Sequence, residues 1–145
     1  MIIRPFTPAD QQSTQQLILN GLKEYWGDLN PSFNRDLNQI ADSYQDGYFL
    51  IAEQNGEIIG CGAFKPVGEG KVEIVRMSVH PKMRRLGVGR QLLDALLIEA
   101  KKRGYVSIIL ETTATWQGAI AFYQSYGFRP THVLDGDQYF EYALS

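Results

Sequence analysis

The stretch with the most chemical content is Arg84-Arg85-Leu86-Gly87-Val88-Gly89-Arg90. Glycines two residues apart, Gly87 and Gly89, let a backbone turn tightly and bring its N–H groups close to an anion. The apolar stripe that begins at Val88 makes the next segment a helix, so those amides stand at the positive end of a helix dipole. Arg84, Arg85 and Arg90 can neutralise the phosphate charge that the amides leave over, whereas Lys82 reads as a solvated surface charge. The chemistry indicated is a grip on pyrophosphate. Two other glycine-loop designs are excluded: the third glycine of a dinucleotide fingerprint would fall at Leu92, and no Gly-Lys-Ser/Thr follows for a P-loop.

The elements that must position this loop follow from periodicity. Val88, Leu92, Leu93, Leu96, Leu97 and Ala100 form one helical stripe, closed by Lys101-Lys102-Arg103 and Gly104. Before the loop, Val72 and Ile74 share one strand parity and Met77 and Val79 the other, so one extra residue, a β-bulge, belongs between Ile74 and Met77. Upstream, Thr7-Pro8-Ala9-Asp10 starts a helix with Thr7 as cap, running to about Trp26 and stopped by Gly27. Leu37, Ile40, Ala41 and Tyr44 recur at helical spacing, and Tyr48 to Ala52 and Ile58 to Phe64 flank an Asn55-Gly56 hairpin turn. Val106 to Leu110 reads as a buried strand. A helix capped by Thr115 then carries Ala119, Phe122, Tyr123 and Tyr126 and ends at Gly127, with a closing strand pair around His132 to Leu134 and Tyr139 to Leu144.

Composition bounds the rest. With 145 residues, 44% apolar and 21% charged, the chain suits a single domain over residues 1–145. The start has no leader pattern, and no run of about 20 apolar residues occurs, so the expectation is a cytoplasmic protein, neither secreted nor in a membrane. Cys61 is the single cysteine and suits a reducing compartment; with only His80 and His132 beside it, no metal site is expected. The net charge of -2 is uneven: residues 61–110 hold ten basic and four acidic side chains, against three and eight in residues 1–60. A basic middle in an acidic chain fits a compact polyanionic ligand and not nucleic acid.

Arg84-Arg85-Leu86-Gly87-Val88-Gly89 resembles the Gln/Arg-x-x-Gly-x-Gly/Ala loop by which enzymes of the GNAT superfamily hold the coenzyme A pyrophosphate. Met77-Ser78-Val79-His80-Pro81 resembles the strand end before it, and the run from Ala119 to Phe128 resembles the second signature of the family, with Tyr123 at its usual tyrosine. Ile3-Arg4-Pro5 and the alanine-aspartate pair that follows resemble a GNAT opening, so the likeness covers nearly the whole chain. It departs at Trp116, where many members carry asparagine.

The resemblance implies an α/β fold of the α+β kind. Its mixed, mostly antiparallel, twisted sheet of about six to seven strands is flanked by about four helices, and its fourth and fifth strands are splayed. It also implies transfer of an acetyl group from acetyl-CoA, as co-substrate and without metal, to a primary amine of a small molecule or peptide. Coenzyme contacts would come from Met77, Ser78, Val79, Arg84, Arg85, Leu86, Gly87, Val88, Gly89, Arg90, Trp116, Ala119 and Phe122. The pantetheine arm would bond backbone groups near Met77 and Val79 as another strand would. Glu73 is the first choice of general base and Glu111 the second, and Tyr123 is the candidate acid for the leaving thiolate.

Other readings stay open. Tyr123 also fits a core aromatic, and Cys61 and His80 have no assigned chemistry. Glu24, Asp28, Asp36 and Asp42 would favour a cationic acceptor if they line its cleft. A non-catalytic acyl-CoA-binding module, a different acyl donor and an oxygen acceptor are the alternatives, and the chain could be a monomer or a homodimer.

Overall fold

A computed structural model describes residues 1–26 and 31–144, without the side chains of Tyr25, Trp26, Pro31, Ser32 and Phe33. Gly27 and Asp28 lie outside the described residues. Seven strands and four α-helices are present among the described residues. Antiparallel pairings join the first strand to the second, the second to the third, and the seventh to both the fifth and the sixth, and a parallel one joins the fourth to the fifth. Contacts divide the chain into two units, Met1–Lys65 with Val75–Leu96 and Pro66–Ile74 with Leu97–Ser145.

The first unit opens with strand β1 (Ile2–Pro5), a 3₁₀ turn (Pro8–Asp10) and helix α1 (Gln11–Trp26). Thr7 is the N-cap and Pro8 the first helical residue, as expected, but the side-chain bond runs the other way. Thr7 donates both its N–H (2.9 Å) and its hydroxyl (3.1 Å) to the Asp10 carboxylate, so the acid rather than the threonine is the acceptor. Arg4 closes on the same carboxylate at 2.7 and 2.8 Å. The second helical segment is mostly 3₁₀ (Pro31–Asn38) with a break at Asn34, followed by one α-turn, α2 (Ile40–Ser43). Strands β2 (Tyr48–Gln54) and β3 (Glu57–Gly68) pair antiparallel through Asn55-Gly56, both at positive φ (53° and 80°), as a primed hairpin turn requires.

Leu17, Ile18, Leu37, Ile40, Phe49, Ile51, Cys61 and Ala63 form the core of this unit. Fully burying the leucine, isoleucine and phenylalanine side chains among them stabilises by roughly 1.5–3 kcal/mol each. Gly60 and Gly62 allow close packing on β3: a Cβ at Gly60 would lie 3.0 Å from Val88, and one at Gly62 would collide with the Met77 sulfur.

The second unit holds the start of β4 (Lys71–Val79), the end of α3 (Val88–Lys102), β5 (Ser107–Thr113), α4 (Gln117–Tyr126), β6 (Arg129–Leu134) and β7 (Asp137–Ala143). β4 and β5 are parallel, and their ladder consists of Lys71↔Ser107, Val72↔Ile108 and Glu73↔Ile109. Both strands run on past it, β4 to Val79 and β5 to Thr113. β7 pairs antiparallel with β5 and with β6.

Alternation sorts this sheet into two faces. Val72, Ile108, Leu110 and Phe140 are buried on one, and Glu73, Ile109, Glu111 and Tyr139 share the other. Helix α4 begins at an N-cap Trp116 that makes no side-chain cap bond, so Thr115 is not the cap. It ends, as expected, at Gly127 (φ 121°).

Candidate active site

The expected bulge in β4 takes the form of one left-handed residue. Arg76 has φ 57° between Ile74 and Met77, which reverses the parity of the strand at the expected place. Its guanidinium donates to Asp36 at 2.6 and 3.0 Å and to Asn34 at 3.0 Å, while its carbonyl accepts from the Cys61 thiol at 3.3 Å. Asp36 also accepts the Tyr44 hydroxyl at 2.6 Å. Burial opposes the Asp36 charge, but Arg76 and Tyr44 hold its carboxyl below the usual carboxylate range. Burial pushes the Cys61 thiol up to about 12, so it stays protonated as the donor.

Beyond β4, His80 accepts the Lys82 N–H on its Nδ1 (3.2 Å) and so caps the 3₁₀ turn Pro81–Met83. That is its structural work. The chain then passes through Arg85 (φ 65°) and Gly87 (φ 84°) into α3. Successive peptides around left-handed residues turn their N–H groups to one side, the geometry of an anion nest. Gln91 donates its N–H to the Gly87 carbonyl at 3.0 Å. The first N–H groups of an α-helix have no acceptor within the helix, which suits that end to an anion. A Cβ at Gly87 would meet nothing within 4 Å, so the space over the turn is open. Arg85, Leu86 and Arg90 are exposed around it, and Gly89 is half-buried in the first turn of α3.

Arg84 is the residue the structure places unexpectedly. It makes a two-pronged bond to Glu24 of α1 at 2.9 and 3.1 Å, with both side chains more than a third exposed. Such a pair is worth about 0.2–1 kcal/mol, little enough for a phosphate to compete for the guanidinium. Glu24 and Asp36 are thus both neutralised by arginines, so neither brings uncompensated negative charge to an acceptor cleft.

In the second unit, Glu73 and Glu111 lie on one face of the β4–β5 pair with Ile109 between them in register. Tyr139 stands opposite Glu111 in the β5–β7 ladder. The Glu111 carboxylate, then burial and the charges of Asp137 and Glu73, push the Tyr139 phenol up to about 12. His132 stacks on the Tyr139 ring at 4.5 Å and 7°. Burial and the charges of Glu111 and Asp135 raise Asp137. Neither Tyr139 nor His132 was singled out as a site residue from sequence; the signal available was Asp135-Gly136, whose positive φ values (50° and 83°) make the turn that aligns His132 with Tyr139.

Tyr123 is buried against Phe122, Phe128 and Phe140 at ring separations of 5.1, 5.8 and 6.0 Å. Burial pushes its phenol well above the ordinary value of about 10. No hydrogen bond of its hydroxyl occurs among the described residues. Trp116, Ala119 and Phe122 are half-buried at the start and middle of the same helix. Among the described residues no His, Cys, Asp and Glu group could hold a metal ion, and no helix is long and apolar enough to cross a membrane.

These arrangements meet known proteins at the level of family. The sequence matches the acetyltransferase (GNAT) family over residues 16–128. The chain belongs to that family. It is 37% identical over 122 residues to an IAA acetyltransferase of Azospirillum brasilense, covering 81% of this chain and 78% of that protein. It is 32% identical over 111 residues to N-acetyltransferase 8 of Mus musculus, covering 71% of this chain and 49% of that longer protein.

Solved GNAT structures share the fold. An acetyltransferase of the family from Staphylococcus aureus Mu50 superimposes with a TM-score of 0.91 at 21% identity, covering 99% of each chain. PaiA N-acetyltransferase from Thermoplasma acidophilum, solved in complex with coenzyme A, superimposes with a TM-score of 0.86 at 20% identity, covering 98% of each chain. The GNAT fold expected from the sequence is therefore the fold of this chain, and the protein is an acyl-CoA-dependent N-acyltransferase of the GNAT class.

Proposed function

We propose that residues 1–145 act as one catalytic domain that moves an acetyl group from acetyl-CoA directly to a primary amine of a small molecule or peptide. The observation that carries this reading is the left-handed pair Arg85 and Gly87 leading into α3, with open space over Gly87. A nest of amides at a helix N-terminus fits a diphosphate, and the exposed arginines beside it supply the remaining positive charge. Residues Arg84 to Arg90 would hold the phosphates, and backbone groups from Met77 to Val79 the pantetheine arm. Trp116, Ala119 and Phe122 would supply apolar surface to the same arm.

Acetyl-CoA supplies the thioester whose acyl carbon the amine attacks. The acceptor ammonium must first lose a proton, and Glu73 takes it, directly or through water, with Glu111 as the second choice. Tyr123 returns a proton to the departing sulfur. Its raised pKa is matched to that task only if burial raises the thiol as well, because desolvation disfavours both anions. A reducing cytoplasm is the proposed setting, in keeping with one buried free cysteine.

Calorimetric titration of the folded protein with acetyl-CoA, followed by an amine panel scored by release of free thiol, tests this reading. Saturable heat and amine-dependent thiol release are expected. No binding would remove the assignment. Binding without turnover on any amine would leave a coenzyme-binding module in its place.

A further inference from the structure

Arginine is an unusual residue for the left-handed position in β4. L side chains are strained there and glycine is not, so the Arg76 side chain must be held by interactions that outweigh the strain. Those interactions are specific. Three guanidinium nitrogens bond to two residues of a single segment, Asn34 and Asp36, forty and more positions away in sequence. The Arg76 side chain is 18% exposed and that of Asp36 31% exposed, so the pair is largely withdrawn from water. Asp36 is itself oriented by the Tyr44 hydroxyl, and the Arg76 carbonyl is held from the β3 side by Cys61. The kink is therefore gripped at both its side chain and its backbone.

Asn34 shows the same relationship from the other side. It is the one residue of the 3₁₀ segment with non-helical angles (φ -129°, ψ 35°), and its side-chain oxygen accepts from Arg76. A break in the segment and a kink in the strand are thus joined by one side chain. The residues that follow the kink, Met77 to Val79, are those assigned above to the pantetheine arm.

We propose that Arg76 is a positioning residue for the coenzyme: Asp36 and Asn34, by gripping its guanidinium, hold the kink that aims the peptide groups of Met77 to Val79. Affinity for acetyl-CoA accordingly depends on residues 34 to 44, which carry no group assigned to the coenzyme. The inference rests on the acetyltransferase reading, and the experiment separates the two.

Three variants suffice. Asp36→Asn removes the charge and leaves β4 chemically unchanged. Arg76→Gly removes the side chain while suiting the left-handed backbone. The third is the double variant. Acetyl-CoA dissociation constants are measured by calorimetry on each, with melting temperature as the control and steady-state kinetics on any amine the wild type accepts.

Each single change is expected to weaken acetyl-CoA about five- to tenfold. The Michaelis constant for acetyl-CoA should rise while turnover at saturation stays within about twofold of wild type. The double variant should be no weaker than the weaker single, because both changes break the same link. Melting temperatures that fall while the dissociation constants of the folded variants stay at the wild-type value would reduce Arg76 to a structural residue and overturn the proposal. So would effects that multiply in the double variant.

If Asp36→Asn does not fold, Tyr44→Phe and Arg76→Lys replace it. The first removes one donor to Asp36 and the second keeps the charge without the fork, and an unchanged affinity in both overturns the proposal equally. A wild type that binds no acetyl-CoA would instead sink the acetyltransferase reading.

Discussion

Tyr139 and Glu111 are direct partners across the β5–β7 ladder, and the carboxylate is the main cause that raises the tyrosine phenol. The pairing joins one of the two candidate bases to a residue of a different strand. It also gives that base an optical reporter. The Glu111 carboxylate pushes the Tyr139 phenol up to about 12, so Glu111→Gln should return it toward about 10 in a phenolate absorbance titration. With the folded value above the unfolded one, the interaction stabilises the fold below pH ~10 and is lost as pH rises through about 12. A Tyr139 titration unchanged in the variant would show that burial and the charges of Asp137 and Glu73 cause the shift.

The two carboxylates can be told apart by turnover. Glu73→Gln is expected to lower kcat on the order of 10²-fold at neutral pH, within the usual range for loss of a general base. Glu111→Gln should lower it less, since that carboxylate is already engaged by the Tyr139 phenol opposite it. The reverse ranking in steady-state assays would move the base to Glu111.

Tyr123→Phe should lower kcat at least tenfold and leave the acetyl-CoA dissociation constant within about twofold, as loss of a general acid does. Stability should change by less than about 0.5 kcal/mol, because the ring stays packed on Phe128 and Phe140. A kcat equal to wild type would make Tyr123 a core aromatic and nothing more.

How far the sequence could be read depended on whether a feature is local. The hairpin at Asn55-Gly56, the stripe of α3 and the parity change before Met77 each arise from neighbouring residues, and the structure has all three. Thr115 failed as a cap because the chain enters α4 one residue later, with Trp116 at the boundary and no side-chain bond. The second helix is a 3₁₀ segment followed by one α-turn, and its break falls at Asn34, whose side-chain oxygen accepts from Arg76.

Asp36 with Arg76, Glu24 with Arg84 and Glu111 with Tyr139 all join residues far apart in sequence. Such pairs leave no periodic trace. The bulge was legible and the side chain that grips it was not.

Gly89→Arg should abolish measurable acetyl-CoA binding, because a long side chain in the first turn of α3 projects beside the amides that would face the diphosphate. Circular dichroism should show the helices intact, since residue 89 is half-buried rather than core. Wild-type affinity in this variant would mean that the loop has been misassigned.

Asp10 makes acid stability measurable apart from catalysis. The hydrogen-bonded Arg4 guanidinium holds its carboxyl at about 2, well below the ordinary carboxylate range. A depressed folded pKa contributes stability that is complete above pH ~4 and disappears as pH falls through about 2. Asp10→Asn should therefore cost about 2 kcal/mol at pH 7 and progressively less below pH ~4. Urea denaturation of both proteins across that range checks it, and a pH-independent difference would assign the loss to packing of α1 instead.

Glu24 tests whether Arg84 belongs to the phosphate site. In the structure the arginine is bound to Glu24 through both terminal nitrogens, so a coenzyme phosphate must first displace the carboxylate. Removing the competitor should help the ligand: Glu24→Gln is expected to tighten acetyl-CoA about two- to fivefold, the worth of an exposed ion pair. Arg84→Ala should weaken it. If the two variants bind acetyl-CoA as the wild type does, Arg84 serves only to tie α1 to the loop, and the phosphate charge is met by Arg85, Arg90 and the amides of the turn.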